Sequence, residues 1–313
     1  MFIAQGDKKE NYFLKYLIGS LVVFIASMIG QIPLGIALVY EVFVNKKPMP
    51  SSDKDLYSFF DSNLFLFLIL ISFVFAFLAM FLIVKKFHNQ DFKDIITSRK
   101  KIDWKRFFIA FSIWAIISIS LILVSYFSGD SEIELQFNLI PFLILSFIAI
   151  LLIPIQTSTE ELVFRGYLMQ GFYNLSKNKW FPLVMTSVIF GTMHILNPEV
   201  AEMGYVVLVY YIGTGFFLGI ITLMDEGTEL ALGFHAANNL ISALLITSDY
   251  SVLRTNAIFK DLSKPEVGYE IFMPIIFYIV LIFVFSKIYK WTNWKEKLIG
   301  SQTVKPEESN FNL

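Results

Sequence analysis

No cysteine occurs among the 313 residues, which removes disulfides, thiolate nucleophiles and thiolate metal sites together. Histidine is nearly as scarce, with three in the whole chain, and charged residues make up only 16% of it. A net charge of -1 gives no footing for nucleic acid. No soluble domain, internal repeat or low-complexity tract interrupts the sequence. What it has in abundance is apolar: 56% of the residues are hydrophobic. They are gathered into repeated runs of about 20, separated by short polar loops, which is the length a bilayer demands and a soluble domain has no use for.

Eight spans follow from these runs, at 13–40, 62–84, 107–127, 138–160, 180–197, 204–224, 230–248 and 271–289. All eight are expected to be helices. Backbone groups in hydrocarbon must bond within their own segment, and the runs lack the two-residue alternation of a porin-type barrel. The expected fold is therefore all-α, a polytopic membrane helix bundle of about eight transmembrane helices making one integral membrane domain over 1–313. Lys8 and Lys9 precede the first span without a small-residue cleavage site, so that span reads as a retained signal anchor. Lys85, Lys86, Lys93, Arg99, Lys100, Lys101, Lys105 and Arg106 crowd the second loop, whereas Asp130, Glu132 and Glu134 fill the third. The positive-inside rule then puts the second loop in the cytoplasm. Lys177 and Lys179, and Lys287, Lys290, Lys295 and Lys297 after the last span, agree. Eight crossings leave both termini of a multi-pass cell-membrane protein in the cytoplasm. The exception is the first loop, with Lys46, Lys47 and Lys54 beside Asp53, Asp55 and Asp61. The tail at 301–313 is expected to be disordered.

An ionisable side chain in a membrane helix costs about 2.5–3.5 kcal/mol on insertion scales, so those that occur generally face a bundle interior and have a task. Three constellations carry such groups: Glu160-Glu161-x-x-x-Arg165, Phe190-x-x-x-His194 and His235-x-x-x-Asn239. Four residues apart on a helix, Glu161 and Arg165 share a face, while Glu160 is turned about 100° away. Glu161 is thus expected to pair with Arg165. Glu160 is left without a local counter-charge and can serve as a general base. The bland alternative is a headgroup boundary at which the trio snorkels. Phe190 shares a face with His194 and could wall a cavity into which the imidazole points. His235 and Asn239 offer two convergent hydrogen-bonding groups, or else ordinary interhelical glue. Along a helix His194 lies roughly 20 Å beyond Trp180. Glu160 meets it at that depth only if the fourth helix runs on through Arg165 toward Tyr173 as a long tilted element. Gly213, Gly215 and Gly219 on the sixth span are expected to be close-packing positions.

Together these side chains supply a carboxylate and a histidine to activate water, and a histidine and an amide to hold an oxyanion. That kit suffices for peptide-bond hydrolysis without a serine or cysteine nucleophile. A metal-assisted route uses Glu160, His194 and His235 as the three protein ligands of a catalytic zinc with water in the fourth position. The chain lacks an H-E-x-x-H helix, and ligand types alone leave the cofactor open between none and zinc. Two other classes compete with an enzyme. One is a non-catalytic membrane protein that holds a peptide in the same cavity, as an immunity protein would. The other is a proton-coupled transporter with a Glu160–His194 relay, which the absence of inverted-repeat spacing disfavours.

The order EE-x-x-x-R, F-x-x-x-H, H-x-x-x-N resembles the signature of the CPBP (Abi) family of intramembrane proteases, which includes the CAAX prenyl endopeptidases and proteins of bacteriocin processing and self-immunity. The resemblance covers roughly residues 137–250; the first three spans and the last are similar only in being hydrophobic. It implies an eight-helix bundle with a catalytic core at 137–250 and the cavity inside the bilayer. Carried over by position, it makes Glu160 the water-activating base, Glu161 and Arg165 its support, and His194 the assistant of the base. His235 and Asn239 become the oxyanion site, with asparagine standing where some members have aspartate. The implied partners are the lipid bilayer and a peptide or protein substrate, prenylated or bacteriocin-like in the family. No feature of this sequence selects a lipidated cysteine. The family has been described both as metal-dependent and as using a glutamate-activated water, so the resemblance does not close the metal question.

Overall fold

The computed structural model describes residues 1–8, 10–51, 53–129, 132–265, 267–268 and 271–301, without the side chains of Asp53, Lys54 and Ser58. Lys9, Asp130 and residues 302–313, which hold nearly all of the tail expected to be disordered, lie outside the described residues. The apolar runs form helices. Helices α1 (Phe13–Gly30) and α2 (Ile32–Phe43) make the first span, followed by a short α3 (Asp53–Phe59), α4 (Ser62–Leu82) and α5 (Trp104–Ser128). Two of these begin at aspartates. Asp61 accepts from the N–H groups of Asn63 and Leu64 at 3.0 and 3.1 Å, and Asp103 from those of Lys105 and Arg106 at 3.1 and 3.4 Å. Each cap takes up donors that the first helical turn cannot bond internally.

After strand β1 (Ile133–Leu135), helix α6 (Leu139–Glu161) continues through a π-helical turn (Leu162–Leu168) into α7 (Met169–Ser176). The result is one 38-residue element, Leu139–Ser176, the long fourth helix that the depth of His194 requires. Helices α8 (Trp180–Thr192), α9 (Pro198–Met203), α10 (Leu208–Asp225) and α11 (Glu229–Leu245) follow, then strands β2 (Ile246–Ser248) and β3 (Phe259–Asp261) and helices α12 (Met273–Tyr289) and α13 (Trp294–Ile299). Five segments are long and apolar enough to cross a membrane: Phe13–Phe43, Ser62–Phe87, Trp104–Ser128, Leu139–Ser176 and Tyr205–Asp225. Trp180–Thr192 and Met273–Tyr289 are shorter apolar helices. With α11, they place a helix at each of the eight expected positions, and the molecule is an all-α polytopic membrane bundle.

Two spans end earlier than expected. The fifth stops at Thr192 instead of 197: turns follow at 193–196, and Asn197, which precedes Pro198, takes extended backbone angles, as a residue before proline prefers. The seventh stops at Leu245 instead of 248. Ile246 turns extended and β2 pairs in parallel with β3, which pairs antiparallel with β1. This small sheet, which periodicity did not reveal, joins the ends of α5, α6 and α11 on one side of the bundle. The opposite end collects the N-terminal residues, the basic loop, the α10–α11 turn and α13. There Asp225 receives Arg99 at 2.8 Å and Arg106 at 2.6 Å, and the Phe2 amide donates to Glu226 at 2.6 Å.

Apolar side chains cover the outside of the bundle as well as filling its core. Phe147 and Ile140 on α6 and Phe283 and Ile279 on α12 are exposed, as side chains facing lipid must be. Small residues bring helices together inside. Helix α10 approaches α8 so closely that a Cβ on Gly215 would lie 2.7 Å from the Ser187 carbonyl oxygen.

Candidate active site

The long fourth element sets the site. Its π-helical turn begins one residue after Glu161 and contains Arg165, yet the four-residue spacing still closes. Arg165 Nη1 donates to Glu161 Oε1 at 2.9 Å, and both side chains are fully buried, at 0% exposure. Such burial excludes snorkelling to a headgroup boundary. The guanidinium lies over the Phe190 ring, 4.2 Å from its centroid, and Nη2 donates to the Gly215 carbonyl at 3.3 Å. The close α8–α10 approach that Gly215 permits therefore also supplies a partner for the arginine.

Glu161 does more than neutralise Arg165. The same Oε1 accepts a hydrogen bond from His235 Nδ1 at 2.7 Å. A carboxylate oxygen only accepts, so Nδ1 carries the proton and Nε2 is the ring's free position in the neutral form. That free nitrogen lies 3.6 Å from Glu160 Oε2. Glu160, one residue from the sealed Glu161, keeps 21% of its side chain exposed. Its other oxygen, Oε1, accepts from Gln156 Nε2 at 2.7 Å. Two adjacent carboxylates thus have opposite environments: one buried, with the guanidinium and the imidazole both bonded to its Oε1, the other open on one side.

His194 is displaced from the helix that was expected to carry it, because α8 ends two residues earlier. Its Nδ1 donates to the Phe190 carbonyl at 2.7 Å, taking up an acceptor at the helix end. Its ring stacks on Tyr211, with centroids 4.1 Å apart and planes 16° from parallel. Nε2 is again the free position of the neutral ring. Among the described residues no hydrogen bond joins His194 to Glu160; the imidazole against Glu160 is that of His235. Phe190 stands between the two histidines, with its ring centroid 4.9 Å from His194 and 6.2 Å from His235. It also floors the arginine, which the sequence did not suggest. Asn239 donates through Nδ2 to Gln156 Oε1 at 3.0 Å and accepts from Asn238 at 3.0 Å. One amide hydrogen of Asn239 is left over.

Gln156 and Tyr211 were not singled out from the sequence. For Gln156 there was a signal: an amide four residues before Glu160, hence on its helix face. Tyr211 carried none, since its contact with His194 spans two helices. The third histidine, His88, lies apart, bonded to Asn11 Oδ1 at 3.0 Å and the Tyr167 hydroxyl at 2.7 Å. For a zinc ion held by Glu160, His194 and His235, three donors would have to converge. Among the described residues no three His, Asp or Glu side chains do so, and the arrangement does not fit such an ion.

Comparison with known proteins agrees with the motifs. Residues 136–241 match the family described as Type II CAAX prenyl endopeptidase Rce1-like, a stretch that contains every site residue named above. An uncharacterised protein of Bacillus subtilis (strain 168), YyaK, is 30% identical over 289 residues, covering 92% of this chain and 95% of that protein. No solved structure matches the chain. The likeness therefore extends through the first three spans and the last one, beyond the motif-bearing half, and the chain belongs to the CPBP family of membrane-embedded, CAAX-type proteases.

Proposed function

We propose that the protein is an intramembrane endopeptidase that hydrolyses a peptide bond of a membrane-associated or membrane-inserting substrate with a water activated by Glu160, in a catalytic core spanning 137–250. The observation that carries this reading is the division of labour between adjacent carboxylates: Glu161 is buried with Arg165 and His235, whereas Glu160 is held by one oxygen and open at the other.

In this reading a water beside Glu160 Oε2 and His235 Nε2 loses a proton to Glu160 as its oxygen adds to the scissile carbonyl. The remaining N–H of Asn239 meets the developing oxyanion. His235 Nε2 joins it once it has taken the proton from Glu160, 3.6 Å away. The proton then passes to the leaving amine nitrogen as the C–N bond breaks. His194, with Nε2 free, assists from the Phe190 side. Donors fixed in place before reaction are worth most in a cavity screened from water. No step uses a metal ion. The basic loop and both termini lie on the cytoplasmic side in this reading.

The test is cleavage of a quenched-fluorescent peptide library by the full chain purified in detergent, with and without chelator and with metal analysis. Glu160→Gln should abolish turnover while leaving thermal stability and monodispersity intact, and wild-type activity should survive metal stripping. Undiminished cleavage by Glu160→Gln would sink the glutamate mechanism. Loss on stripping that zinc restores would sink its metal-free form. A purified wild-type chain that binds peptides without cutting them would leave a peptide-holding role instead.

A further inference from the structure

Four hydrogen bonds run in series from the α5 side of the bundle to the Glu160 carboxylate. Trp114 Nε1 on α5 donates to Asn238 Oδ1 at 3.1 Å, and Asn238 Nδ2 donates to Asn239 Oδ1 at 3.0 Å. Asn239 Nδ2 donates to Gln156 Oε1 at 3.0 Å, and Gln156 Nε2 donates to Glu160 Oε1 at 2.7 Å. The chain crosses three helices, α5, α11 and α6.

Its direction is not a matter of choice. The two ends of an amide are otherwise interchangeable, but an indole N–H can only donate and an ionised carboxylate can only accept. With a pure donor at one end and a pure acceptor at the other, only one orientation of the three amides between them makes all four bonds. Turning any one amide over sets nitrogen against nitrogen and oxygen against oxygen. The starting point is itself anchored: Trp114 is 7% exposed, and its ring packs 4.5 Å from that of Phe234. Gln156 is 8% exposed, so its amide has little water to turn to. Ordinary interhelical glue has no need of a common direction or of an end on the one carboxylate that remains open.

We infer that Gln156 is a positioning residue for the hydrolysis, the last member of a directional relay from Trp114 through Asn238 and Asn239 that clamps Oε1 of Glu160 and presents Oε2 to the water. The inference rests on Glu160 being the general base. It explains why the base can be open on one side without being free to rotate, and it gives Asn239 a second task. Proximity and orientation of this kind act on the chemical step, not on substrate affinity.

The experiment is steady-state kinetics on a quenched-fluorescent peptide that the wild-type chain cleaves, using the full chain in detergent. Gln156→Met keeps the side chain's length and removes the donor. It should lower kcat by about 10- to 100-fold, as expected for losing a hydrogen bond to a charged group, with KM unchanged. Gln156→Glu should show its rate maximum at lower pH than wild type, because only the protonated new carboxyl can donate to Glu160. Trp114→Phe, which keeps the packing and removes the first donor, should lower kcat about threefold with KM unchanged, the effect of one neutral hydrogen bond. If Gln156→Met does not purify as a folded species, Trp114→Phe and the pH profile of Gln156→Glu carry the test. A wild-type kcat in either donor-deleted variant, a loss confined to KM, or an unshifted profile in Gln156→Glu would overturn the relay. Glu160→Gln run alongside separates the two proposals. If it is inactive while Gln156→Met is normal, only the relay fails; if it is fully active, the base assignment fails with it.

Discussion

Glu160 and Glu161 differ by one step along a helix and by almost everything that surrounds them. Glu161 and Arg165 are buried with His235 as a compact charged cluster, and removing one partner of such a pair strands the other in a medium that cannot solvate it. Arg165→Met is therefore expected to destabilise the protein by about 3–5 kcal/mol, whereas Glu160→Gln should shift stability by no more than ~0.5 kcal/mol. Thermal unfolding of both variants in detergent checks the contrast. His88 gives a prediction in pH. Burial, and secondly the nearby Lys15, hold its imidazole down to about 4 from an ordinary 6.5. The folded chain thus keeps the ring neutral where the unfolded chain would take up a proton. Its contribution is complete above about pH 6.5 and is lost as pH falls from there toward 4. The unfolding temperature should drop across that window, and His88→Gln should flatten the drop. The pairing of Glu161 with Arg165 was legible because i and i+4 meet on any helix. The bond from His235 to Glu161 was not, since 74 residues separate them and nothing local encodes their meeting.

At the scale of the element, the fourth helix reaches the site only because it does not stop where its apolar run ends. Pro154 inside α6 removes one backbone donor. The chain nevertheless goes on through the π-helical turn that carries Arg165, and π turns of this kind are common at functional sites. Helix α10 contributes through its glycines, with unequal consequences. A Cβ on Gly215 would collide with the Ser187 backbone, which cannot yield, whereas one on Gly213 would meet only the end of the Ile275 side chain at 3.4 Å. Gly215→Ala should cost about 1–3 kcal/mol and lower peptide cleavage by moving the carbonyl that receives Arg165. Gly213→Ala should be close to neutral in both, and unfolding and rate measured on the same samples decide it. That Gly215 serves close packing was legible in its small size within a membrane span; Gly213, expected to do the same, has room for a side chain. Which one is indispensable was not legible, because that depends on the register of α8 against α10.

For the whole molecule, the two ends of the bundle have different constructions. The basic loop and the α10–α11 turn meet through Arg99, Arg106, Asp225 and Glu229, with Arg99 3.0 Å from Glu229, and Trp291, just before α13, donates to Asp225 at 3.1 Å. The other end is covered by the three short strands. The absence of cysteine makes orientation directly measurable. With single cysteines introduced at the exposed Lys101 of the basic loop and Lys264 beyond β3, a membrane-impermeant thiol reagent should label Lys264→Cys in intact cells. Lys101→Cys should react only after permeabilisation. The reverse pattern would invert the topology.

The sequence by itself determined that the chain is a helical membrane bundle, because backbone hydrogen bonding in hydrocarbon leaves apolar runs of that length no other form. It also determined which side chains were too costly to sit in those runs without a task, and, through local helix geometry, that Glu161 and Arg165 would pair. Only the tertiary structure decided that His235, and not His194, stands against Glu160, that Gln156 clamps it, and that Phe190 lies beneath the guanidinium. Each of these depends on how far one helix is displaced along another, and that displacement is set by packing between segments distant in the sequence.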